Sequence, residues 1–86
     1  MVKTGEMPTP RAFTAQVAAR VAAELRLRGI TQTSLARELG RSQGYVWQRW
    51  QGHSGWNTDE LDLIATRYLG FASALHMLAA LLPPTR

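Results

Sequence analysis

Residues 31–52 read TQTSLARELGRSQGYVWQRWQG, and this stretch decides the fold. Thr31 stands where a helix N-cap belongs, and a short helix is expected over about 32–39 before Gly40 closes it. Ser42 repeats the arrangement, capping a second helix over about 43–51 that Gly52 ends. Small Ala36 lets the second helix cross close to the first, and Gly40 takes the positive-φ position of the turn. Leu35, Leu39 and Val46 then fill the wedge between the two helices.

Upstream, the periodicity predicts a helix over about 13–28. Thr14 offers an N-cap, and Val17, Ala18, Val21, Ala22 and Leu25 recur at three- and four-residue spacing. Gly29 supplies a left-handed stop, with Ile30 placed to fold back on Leu25 as the hydrophobic contact of a Schellman ending. Downstream, a loop at 53–57 holds Gly55 and Trp56. Asn57 or Thr58 caps a fourth helix to about residue 69, Asn57 with Glu60 having capping-box spacing, and Gly70 closes it. Asp59, Glu60 and Asp62 lie early in that helix, where acidic side chains favour the positive dipole end. A fifth, largely apolar helix at about 71–82 stops at Pro83-Pro84. The expected architecture is all-α, five helices in one compact domain. Residues 1–12 form a flexible arm, 13–70 the body and 71–86 an apolar helix and tail.

The composition narrows the function classes. At 86 residues, 45% hydrophobic and 19% charged, the chain is one small globular domain. It contains no cysteine, which excludes disulfides and thiolate-bound zinc. No phosphate loop, metal-ligand spacing or cysteine nucleophile is present, and His53 and His76 lack a plausible acid or nucleophile beside them. An enzyme, a metal, a cofactor and a small-molecule ligand are therefore not expected. Neither a membrane-spanning run nor the apolar core of a signal peptide occurs, so a cytoplasmic location is expected. The formal charge is +4 and unevenly placed. Between residues 11 and 53, seven arginines face only Glu24 and Glu38; beyond residue 53, Arg67 and Arg86 face three acids. A basic front is the electrostatic footprint of a nucleic-acid binder.

Two short helices around a glycine turn make a helix-turn-helix unit. The chain resembles the Cro and phage-repressor family of helix-turn-helix domains. The resemblance is carried by Thr31-Gln32-Thr33-Ser34-Leu35-Ala36, Leu39-Gly40, Ser42-Gln43, Val46 and Gly52, and continues through Glu60-Leu61, Ile64-Ala65 and Leu69-Gly70. It implies a sequence-specific regulator of transcription that binds double-stranded operator DNA, with the helix at about 43–51 in the major groove. Gln43, Gly44, Trp47 and Gln48 then become base contacts, Gln43 first, because a glutamine offers adenine a donor and an acceptor together. Thr31, Gln32, Thr33, Arg41, Ser42, His53, Ser54 and Asn57 become phosphate contacts. Lys3 or Arg11 in the arm has a possible minor-groove role.

Two positions depart from the family pattern, Arg41 after the turn glycine and Arg49 at an inward-leaning position. Arg49 is expected to lay its stem on an indole, while Trp50 and Trp56 serve as core or loop anchors. Phe71, Leu75, Leu78 and Leu82 recur at four-, three- and four-residue spacing, expected as a two-fold contact of a homodimer on a near-palindromic operator. The alternative reading is an antitoxin-type protein that binds a partner protein as well as operator DNA.

Overall fold

Eighteen residues, Pro10–Leu27, form the long helix α1. The computed structural model describes residues 10–82, so the expected arm lies outside the described residues as far as residue 9, and so does the proline stop. Residues 10–12 are already helical, and Thr14 is interior rather than a cap. Proline is well tolerated at the first turn, where its missing N–H has no intrahelical partner to lose. Val17, Ala18, Val21, Ala22 and Leu25 are buried along one stripe, as their spacing predicts. The helix ends in a Schellman arrangement: Ile30 N–H donates to Leu25 O at 2.9 Å and Gly29 N–H to Arg26 O at 3.0 Å.

Helices α2 (Gln32–Leu39) and α3 (Gln43–Trp50) follow. Thr31 and Ser34 exchange side-chain and backbone hydrogen bonds as a capping box, and Gly40 ends α2 at φ +67°. Arg41 N–H reaches back to Ala36 O at 3.0 Å, so the turn between the helices is hydrogen-bonded. Leu35, Ala36 and Val46 are buried where α2 crosses α3.

Helix α4 (Thr58–Leu63) opens on the Asn57–Glu60 capping box and runs directly into a wide π-helical turn, Ile64–Tyr68. Periodicity predicts only an ordinary helix here. Thr66 Oγ1 donates back to Asp62 O at 2.9 Å within this stretch. Leu69 N–H bonds Ile64 O at 3.1 Å, and the wider turn keeps Ile64 and Leu69 on one buried side. The last helix, α5 (Ala74–Leu81), begins later than expected. Phe71 N–H donates to Ala65 O at 2.9 Å and so completes the end of the preceding element. Ser73 caps α5 through the His76 N–H at 3.3 Å, and Asp62 Oδ1 accepts the Ala74 N–H at 2.9 Å. Leu82 leaves α5 in an extended conformation, the state preferred before proline.

Every regular element among the described residues is thus helical, with a single core of Val21, Leu25, Leu35, Val46, Ile64 and Met77 at its deepest. None of these helices is long and apolar enough to cross a membrane.

The end of α3 is held against α1 at Gly52. Its φ is +85°, and a Cβ there would lie 3.4 Å from both Ala15 Cα and Ala18 Cβ. Gly29 also has positive φ, but a Cβ there would meet nothing within 4 Å. Gly29→Ala should therefore lose only the conformational contribution, about 1–2 kcal/mol. Gly52→Ala should lose at least as much, since its Cβ would stand at contact distance from the α1 backbone and Ala18. Thermal melts of the two variants check the order.

Candidate functional site

Helix α3 has two chemically distinct sides. Val46 and Trp50 are buried, Tyr45 and Arg49 are half-buried, and Gln43, Gly44, Trp47 and Gln48 are exposed. All four positions expected to read bases therefore share the solvent side of one helix, with exposed Arg41 and Ser42 at its entry. That side carries no charged group, for α3 contains no acid and its single base, Arg49, leans inward. Trp47 is 44% exposed and stacks on His53, ring centroids 5.3 Å apart. A Cβ on Gly44 would find only Ser42 Oγ, at 4.0 Å.

Several expected phosphate contacts also act as caps. Ser34 N–H donates to Thr31 Oγ1 at 3.1 Å, Tyr45 N–H to Ser42 Oγ at 3.1 Å, and Glu60 N–H to Asn57 Oδ1 at 2.7 Å. These three side chains, with Thr33, Arg41 and His53, are exposed; Gln32 and Ser54 are half-buried. Trp50 and Trp56 belong to the core, and the Trp56 indole N–H is buried with no hydrogen-bond partner among the described residues.

Behind the exposed side lies a cluster that spacing does not reveal. Glu60 is only 6% exposed. Its Oε1 accepts the Asn57 N–H at 3.1 Å, and its Oε2 accepts the Tyr45 O–H at 2.5 Å. Arg41 Nε lies 3.9 Å from the same Oε2, inside ion-pair range but beyond hydrogen-bonding distance. The Arg41 guanidinium sits 4.5 Å from the Tyr45 ring centroid and that of Arg49 sits 3.5 Å from it. Arg49 thus packs on a phenol and not on an indole, because Tyr45 is the aromatic one turn back on its own helix face. Its Nε is buried with no hydrogen-bond partner among the described residues. Of the three acids read as dipole complements, Asp59 and Glu60 lie in the first turn of α4, Glu60 serving also as a buried tie to α3, while Asp62 holds the start of α5. Arg41 and Asn57 line an open cleft of about 240 Å³ together with Glu38, Asp59 and Glu60.

The expected two-fold stripe on α5 is not one outward face. Leu75 is 76% exposed, whereas Phe71, Leu78 and Leu82 pack half-buried against the core around buried Met77. The exposed side of α5 is formed by Leu75, His76, Ala79 and Ala80. No protein-family model, curated protein or solved structure matches the chain.

The hydrogen bond to Glu60, burial and the charge of Glu60 together hold the Tyr45 phenol above its usual value of 10.0, against the lowering pull of Arg49 and Arg41. Burial and then Glu38 raise the Tyr68 phenol too, with Arg67 opposing. A group whose folded value is raised stabilises the fold below its unfolded value and loses that contribution as pH climbs through the folded one. Stability should therefore be flat up to about pH 10 in respect of these phenols and fall above it. Tyr45→Phe should flatten that alkaline fall in part, leaving the Tyr68 share, as read by chemical denaturation at several pH values.

Proposed function

We propose that the protein is a sequence-specific, double-stranded DNA-binding regulator of transcription, of the Cro or phage-repressor helix-turn-helix type, and not an enzyme. The observation that carries the reading is the solvent side of α3, where amides, a glycine and an indole meet with no charged group among them. A purely solvated helix face is ordinarily charged, whereas neutral amides suit the donor and acceptor pattern of base edges. In this reading α3 enters the major groove N-terminal end first. Gln43 and Gln48 read base edges, Trp47, stacked on His53, lies against a thymine methyl or the sugar–phosphate backbone, and Arg41 meets a phosphate.

Gly44 supports the same reading. Its φ is not positive and nothing crowds its missing Cβ, so the fold gives no reason for glycine at that position. Close approach of the α3 backbone to a partner does supply a reason. The alternative, a protein partner docked on α5, has a single large exposed side chain in its favour, Leu75.

Three results are expected. Binding to duplex DNA weakens steeply with salt; salt-independent binding, or none, overturns the proposal. Gln43→Ala loses about 1–3 kcal/mol of discrimination at one base position of a duplex selected in vitro, measured by fluorescence anisotropy against single-base variants. Gly44→Ala raises thermal stability by roughly 0.5–1 kcal/mol while weakening DNA binding. A Gly44→Ala variant that is more stable and binds DNA as well as the parent removes the argument from the glycine.

A further inference from the structure

The arginine proposed to meet phosphate already has an anion. We propose that Glu60 is a built-in competitor for DNA phosphate at Arg41, a positioning residue that sets the affinity and salt dependence of the interface. The inference rests on the DNA-binding reading and deepens it.

Four observations lead there. Glu60 is buried, and a buried carboxylate needs both hydrogen bonds and a counter-charge. Its hydrogen bonds come from neutral donors, the Asn57 N–H on Oε1 and the Tyr45 O–H on Oε2. The counter-charge therefore stands off: Arg41 Nε is 3.9 Å away, kept out of hydrogen-bonding distance by the phenol that already occupies Oε2. The Arg41 guanidinium rests on the Tyr45 ring with half of its side-chain surface in solvent. Arg41 is thus held by charge and a ring face, with no direct hydrogen bond to Glu60, at the mouth of α3. A phosphate offering two or three charge-assisted hydrogen bonds draws it away, and Glu60 loses its neighbour in the exchange. Arg49, 3.5 Å over the same ring, stays behind to balance part of the charge.

The geometry makes Glu60 and Tyr45 act in opposite directions. Glu60→Gln keeps an oxygen for the Asn57 N–H and a polar end beside the phenol, but removes the competing charge. It should tighten binding to a mixed-sequence duplex about threefold to tenfold and steepen the log–log salt slope by about one unit. Tyr45→Phe keeps the ring and vacates Oε2, so Arg41 closes on Glu60 and binding should weaken about threefold. Asp59→Asn, which removes an exposed charge from the same helical turn, is the control for general repulsion and should change binding by less than about twofold. The excess of Glu60→Gln over that control should vanish in an Arg41→Ala background, a double-mutant cycle read by anisotropy titration.

Opposite shifts for Glu60→Gln and Tyr45→Phe, with a non-additive cycle, support the competitor. Additivity, or weakening by both variants as simple disruption of the fold gives, overturns it while salt-dependent binding by the parent leaves the DNA reading standing. A parent protein that shows no salt-dependent binding to the same duplex removes both.

Discussion

Burying one carboxylate organises this molecule around the start of α4. Glu60 must satisfy two oxygens and a charge in a place nearly closed to water. The Asn57 N–H satisfies one oxygen and in doing so fixes where α4 begins. The Tyr45 O–H satisfies the other, so the first turn of α3 is tied to the start of α4 by a directed bond rather than by apolar contact alone. Val46 and Trp50 press the same helix onto the core from beneath. On the solvent side of α3, Gln43 and Gln48 make no side-chain hydrogen bond among the described residues, so their amides are not committed to the fold.

Much of this was legible in the sequence, and the legible part is local. Schellman endings follow from Gly29 and Gly40, since a left-handed residue after an apolar stripe closes a helix whatever lies around it. The α1 stripe and the Asn57–Glu60 box follow likewise from spacing within a turn or two. The two-sided character of α3 could be read as well, because Val46 and Trp50 are one turn apart and the polar residues lie between and before them.

What spacing did not reveal depends on partners distant in the chain or on competition between similar states. Tyr45 and Glu60 are separated by 15 residues, and nothing in either neighbourhood distinguishes a carboxylate that folds under from one that favours a dipole. The π-turn at Ile64–Tyr68 carries a threonine hydroxyl bonded back to the Asp62 carbonyl, a local feature that apolar periodicity does not register. The start of α5 escapes spacing for a related reason. Phe71 and Ser73 both fit a helix start, and the tertiary bond from Ala74 N–H to Asp62 favours the later one. Packing around buried Met77 leaves Phe71, Leu78 and Leu82 half-buried, with Leu75 outside.

Arg41 shows how the local and distant contributions meet. Its backbone N–H belongs to the ending of α2, which the glycine dictates, so its Cα is placed by local rules. Its side chain belongs to the electrostatics of Glu60 and the face of Tyr45, both of which arrive from the rest of the fold. Half exposed after the turn glycine, that side chain has a buried anion and an aromatic ring beside it. The same two groups determine how readily that arginine can be lent to an external anion. If α3 meets phosphate as proposed, affinity at its mouth is set by residues that never touch the partner.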